Sequence, residues 1–113
     1  MPEVDRVQCA RDLYRAFAEN LRDVPERLLS ADFTFSSPVD PQLDRQGYFE
    51  RCWPAAGAVR RFDILRALEA GDEVVVTYEA TRPDGTRFRN TEVFTFRGGE
   101  ICRVEVYFGW DLA

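Results

Sequence analysis

Three turn signals divide the second half of the chain: Gly71-Asp72, Pro83-Asp84-Gly85 and Gly98-Gly99. The stretches between them alternate apolar with polar residues and are rich in Val, Thr, Phe and Tyr, which suits half-buried pleated strands. Connections this short permit only antiparallel neighbours, because a parallel pair needs a crossover of a dozen or more residues. Phe62 to Ala70, Val74 to Thr81, Arg87 to Arg97 and Glu100 to Phe108 are therefore predicted as strands of a curled antiparallel sheet.

The first half follows a different period. From Val4 onward, Val7, Ala10, Tyr14, Phe17 and Leu21 recur at spacings of three and four, one face of a helix of about five turns. Asp23, Pro25 and Glu26 form a D-x-x-E capping pattern that opens a second, short helix carrying Leu28 and Leu29. Phe33-Thr34-Phe35 then alternates as a strand up to Pro38, and Asp44 caps a third helix with Tyr48, Phe49, Cys52 and Trp53 on its apolar face, ended by Pro54. Helices first and strands second is the pattern of an α+β domain, and 113 residues suffice for one core without metal or disulfide support.

The hairpins predict a register. If Arg97 closes the Gly-Gly loop opposite Glu100, Glu92 lies opposite Glu105 and Asn90 opposite Tyr107; across the Pro-Asp-Gly turn, Val76 faces Glu92 and Tyr78 faces Asn90. The face toward the helices then carries Val74, Val76, Tyr78, Asn90, Glu92, Phe94, Phe96, Ile101, Glu105 and Tyr107. Thr77, Glu79, Arg87, Thr91, Val93, Thr95, Val104 and Val106 fall on the other face. Two carboxylates side by side on an apolar face cannot both ionise cheaply, which marks a site; alternatively Arg103 neutralises one of them.

Composition removes whole classes of chemistry. The net charge of −5 disfavours nucleic acid; the fifteen basic residues are all Arg, which excludes lysine Schiff bases, and His is absent, which excludes His dyads and the commonest metal ligand. Cys9, Cys52 and Cys102 form no C-x-x-C pair, so they read as reduced thiols of a cytoplasmic protein, with no metal and no cofactor expected. The charged N-terminal stretch lacks a signal-peptide core, and no apolar run approaches the ~20 residues of a membrane span.

This layout, with "SADFTFSSPVD" and "FRNTEVFTFRGGEICRVEVYFGWDL", resembles the nuclear transport factor 2-like superfamily, which includes ketosteroid isomerase and the SnoaL-like polyketide cyclases. The resemblance covers nearly the whole chain. It implies a single SnoaL-like domain over residues 1–113, folded as a cone-shaped barrel of curved sheet on three N-terminal helices, and a homodimer through the open sheet face. In ketosteroid isomerase a carboxylate base precedes a Pro after the first strand, a Tyr on the first helix donates to the oxyanion, and an acid kept neutral by an apolar site donates a second bond. On that pattern Glu92 of "TEVFTF" takes the place of the neutral acid and Tyr14 is near the tyrosine. The base position holds Ser37, which departs from the isomerase; Asp40, three residues on, is either a relocated base or a turn residue. Phe49, Trp53, Tyr78 and Tyr107, with Ser37, Asn90, Arg103 and Glu105, would line a cavity for a small apolar or ring-bearing molecule, or else belong to the core.

Three functions are consistent with these residues: proton transfer next to a carbonyl, by Asp40 with Glu92 and Tyr14; a non-catalytic binding or assembly module; and water addition in the epoxide-hydrolase or dehydratase manner by Glu92, Glu105 and Arg103.

Overall fold

A computed structural model describes residues 5 to 112, so Val4 lies outside the described residues. Asp5 opens α1 (Arg6–Glu19), its carboxylate accepting the Gln8 N–H at 3.0 Å. The apolar stripe turns Ala10, Leu13, Tyr14 and Ala16 into the core. The helix ends before Leu21, because Asn20 adopts the left-handed conformation (φ 56°) and the Leu21 N–H turns back to the Ala16 carbonyl at 2.8 Å. Leu21 is consequently exposed. α2 (Asp23–Leu28) begins at Asp23 itself, and no side chain caps it; Glu26 pairs with Arg22 at 2.9 Å instead of closing a capping box.

The chain passes directly into β1 (Leu29–Ser36), longer than Phe33-Thr34-Phe35 predicted and ended ahead of Pro38. β2 (Leu43–Asp44) pairs with it, and Asp44 caps α3 (Arg45–Arg51) by accepting the Gly47 N–H at 2.7 Å. A 3₁₀ turn, Trp53–Ala55, holds Pro54 at its start, and the Trp53 indole N–H donates to Asn20 Oδ1 at 3.1 Å, locking the end of α1 to the end of α3. β3 (Arg61–Ala70), β4 (Glu73–Thr81), β5 (Arg87–Arg97) and β6 (Glu100–Leu112) complete a six-stranded sheet of order β2-β1-β6-β5-β4-β3. The sheet is mixed, not antiparallel throughout, because β1 runs parallel to β6. It curves into a cone but stays open, with β2 and β3 as its edges.

The β4–β5 register is as predicted, with Val76 opposite Glu92 and Tyr78 opposite Asn90. The β5–β6 register is not. Arg97 does face Glu100, but Phe96 pairs with Ile101 and Thr95 with Arg103, so Cys102 is an extra residue bulged out of the ladder. Its thiol donates to the Thr95 carbonyl at 3.4 Å. Beyond the bulge every side chain changes face. Val104 and Val106 point into the core; Arg103, Glu105 and Tyr107 point out; and Glu92 lies opposite Val106, Asn90 opposite Phe108. The core centres on Phe33, Phe94, Ile101, Val74 and Val76, each contributing roughly 1.5–3 kcal/mol by burial.

A second bulge sets Arg89 of β5 against Gly109 and Trp110 of β6. There the backbones approach so closely that a Cβ on Gly109 would collide with the Arg89 carbonyl oxygen. Gly109→Ala is expected to lower the unfolding free energy by about 2–4 kcal/mol. An unchanged urea midpoint would show that the strand yields without cost.

Candidate functional site

Between the concave sheet face and the helices lies a cavity of about 630 Å³, within the size range of small-molecule sites. α1 supplies Tyr14, β4 Tyr78, and β5 Asn90 and Glu92; Tyr48 comes from α3 and Phe62 from β3. Tyr14, Phe62 and Tyr78 pack as a triad, with ring centroids 4.9 to 5.2 Å apart.

The polar groups form one directed chain. The Gly109 N–H donates to Asn90 Oδ1 at 3.1 Å, so the Asn90 amide must turn its Nδ2 toward the Tyr78 hydroxyl, 3.2 Å away. With that lone pair taken, the Tyr78 O–H donates to Glu92 Oε2 at 2.6 Å. Burial raises the Glu92 carboxyl from 4.5 to about 7, a rise that the bond from Tyr78 and then the nearby Tyr14 hydroxyl partly oppose. Burial foremost, and the neighbouring Glu92 charge after it, raise both tyrosines well above the usual phenol range, so both stay protonated donors. The Tyr14 hydroxyl is buried and has no partner within ordinary hydrogen-bond geometry, although it is near enough to Glu92 to act on it. A free phenol donor and a carboxyl half-protonated near neutrality thus border one volume.

At the cavity wall, residues 37 to 40 form a tight turn. Ser37 Oγ accepts the Val39 and Asp40 N–H groups at 3.3 and 3.1 Å, a turn-holding role that leaves the hydroxyl no base to activate it. Asp40 lines the cavity with its side chain 17% exposed. Arg51, from the end of α3, donates from Nε to Asp40 Oδ1 at 2.9 Å, and one of its terminal nitrogens forms an ion pair with the same oxygen at 2.9 Å. Oδ2 takes no protein hydrogen bond among the described residues, which leaves one carboxylate oxygen open to a ligand.

The cavity therefore brings together Tyr14, Ser37, Asp40, Tyr78, Asn90 and Glu92. It does not include five residues expected there. Tyr107 is 54% exposed, and Arg103 and Glu105 pair with each other at 3.8 Å on the outer face, all three displaced by the Cys102 bulge. The acid–base cluster of Glu92, Glu105 and Arg103 does not form. Phe49 turns away beneath the Arg22 and Arg45 guanidinium groups, and Trp53 is core. Arg51, Phe62, Phe88 and Trp110 are lining residues that sequence reasoning missed. The alternation of β3 and β5 points to Phe62 and Phe88; Trp110 lies beyond Phe108, where the sequence predicts the strand to end, whereas β6 continues to Leu112. Among the described residues no group of His, Cys, Asp and Glu is arranged to hold a metal ion, and no helix is long and apolar enough to cross a membrane.

A family model for the SnoaL-like domain matches residues 10–104, and the chain belongs to that family. Solved structures show the same fold at low identity. A nuclear transport factor 2-like protein of unknown function from Cytophaga hutchinsonii is 18% identical, covering 96% of this chain and 93% of that one, with a TM-score of 0.74. A candidate polyketide cyclase from Sinorhizobium meliloti is 20% identical over 88% and 93% of the two chains, TM-score 0.73. A protein with the ketosteroid isomerase-like fold from Catenulispora acidiphila, solved in complex with trimethylamine, is 17% identical over 89% and 85%, TM-score 0.71. The chain matches no curated protein.

The raised Glu92 carboxyl makes stability depend on pH. Because its folded value of about 7 exceeds its ordinary 4.5, this group favours the folded state most below 4.5, and the advantage disappears as pH rises through 7. Glu92→Gln is expected to remove roughly 3 kcal/mol of pH dependence across that window. Chemical unfolding of both proteins at several pH values checks it; parallel curves would show Glu92 to be solvated.

Proposed function

We propose that this protein binds a small apolar, ring-bearing molecule and transfers a proton next to its carbonyl. The observation that carries the reading is the pairing of two donors, protonated Glu92 and the unpartnered Tyr14 hydroxyl, in one aromatic-lined cavity. A carbonyl oxygen placed between them would gain two hydrogen bonds that strengthen as it becomes an oxyanion. Asp40 Oδ2 serves as the base, with Arg51 on Oδ1 fixing the carboxylate's orientation. The reading agrees with the presence of a candidate polyketide cyclase among the proteins that share this fold.

The test is conjugation of a β,γ-unsaturated ketone, such as a 3-oxo-Δ5 steroid, followed by ultraviolet absorbance. Turnover is expected to fall above pH about 7 as Glu92 loses its proton, and Asp40→Asn is expected to lower it about 100-fold or more. Binding without turnover in the wild type, or unchanged turnover in Asp40→Asn, would leave a binding module without this base.

The outer sheet face supports a homodimer. Leu68, Val75 and Val93 lie in one cross-strand row, beside the Thr77–Thr91 hydroxyl pair and exposed Tyr107. Sedimentation is expected to give a dimer mass that Val93→Arg halves; a wild-type monomer would refute it. The three free thiols suit a reducing, cytoplasmic setting.

A further inference from the structure

The charged groups in the cavity wall divide unevenly. Asp40 pairs with Arg51 at 2.9 Å, and Arg82 reaches Asp111 at 3.5 Å across the mouth. Glu92 is the remaining charged residue of the wall and has no cationic partner among the described residues. The groups that face it are Tyr14 from α1, Tyr48 and Cys52 from α3 and its end, Tyr78 from β4 and Asn90 from β5. All are neutral: burial holds the Cys52 thiol up at about 11 and raises each phenol. The surroundings are ring faces, with Tyr14 5.1 Å from Phe62 and 5.6 Å from Phe94, centre to centre.

A carboxylate among aromatic rings with no counter-ion is half of a cation site. The rings offer negative π faces, and the missing component is a positive charge on an apolar body, because a strongly hydrated ion would lose its water without enough oxygen ligands in return. We propose that the same cavity takes organic cations of the alkylammonium class, seated against the Tyr14, Phe62 and Tyr78 rings with the Glu92 carboxylate as counter-ion. This goes beyond the carbonyl reading, since it uses the deprotonated form of Glu92 where that reading uses the protonated one. The proton on a single carboxyl then selects the ligand: neutral carbonyl compounds while it is present, ammonium compounds once it has left. Each fixed cation that enters below neutrality displaces one proton from Glu92.

Calorimetry with choline and its uncharged isostere 3,3-dimethyl-1-butanol tests this on the intact protein, at pH 5.5 and 8.5 and in two buffers of different ionisation enthalpy. Choline affinity is expected to rise about 30-fold between those pH values, with close to one proton released per choline at the lower pH. The isostere is expected to bind independently of pH and more weakly than choline at pH 8.5. Glu92→Gln is expected to abolish the pH dependence for choline while keeping the isostere's affinity, which shows that the cavity is intact. Choline affinity that is flat with pH, or no tighter than the isostere's at pH 8.5, overturns the proposal. If the wild type still turns over a β,γ-unsaturated ketone in that case, the cation inference fails and the carbonyl reading stands.

Discussion

One extra residue in β6 decides which charges face the interior. Without Cys102 the alternation of the last strand would carry Glu105 to the same face as Glu92, and two carboxylates would share a poorly solvated space. The bulge turns Arg103 and Glu105 outward together, where they pair, and brings Val104 and Val106 in to close the core against β1. A local irregularity in backbone pairing thus acts as an electrostatic sorting device. It leaves Glu92 as the sheet's one cavity acid without an arginine partner, since Asp111 at the mouth pairs with Arg82, and Glu92's behaviour follows from that isolation.

The orientation of that acid is set from farther away than its own strand. The close approach of Gly109 to Arg89 presents a backbone N–H to Asn90, which fixes the amide, which in turn directs the Tyr78 hydroxyl at Glu92. Each donor is committed by the one before it, so Tyr78 is occupied and its neighbour Tyr14 is left free. Packing at the second bulge therefore reaches the chemistry through three hydrogen bonds and no moving part.

Much of this was legible in the sequence where a local rule acts alone. The Pro-Asp-Gly turn defines the β4–β5 hairpin, so the alignment of Tyr78 with Asn90 and Val76 with Glu92 follows by counting. The same counting failed across the Gly-Gly loop, although the sequence held a warning: Ile101 is apolar at an odd position, whereas Val104 and Val106 are apolar at even ones. A shift of phase within one strand is the signature of a bulge. Leu21 fits the helical stripe by spacing, yet the left-handed Asn20 ends the helix first. Spacing leaves Phe49 and Trp53 open between cavity wall and core, because α3 has seven residues, too few for periodicity to separate its faces, and Trp53 lies in the turn beyond it; both are buried in the core. The Asp40–Arg51 pair joins a turn to a helix end, a contact that no pattern of spacing encodes.

The cavity's floor and its mouth are built from different material. The floor is mid-sheet and fully packed, whereas the mouth is framed by Phe108 and Trp110 of the final strand, 53% and 62% exposed, and by Arg82 leaning on the Phe88 ring. Residues so exposed contribute little to holding the domain together. Admission and architecture are therefore separable: lineages, or engineers, can reshape what enters by rewriting the rim while the acid beneath keeps its setting.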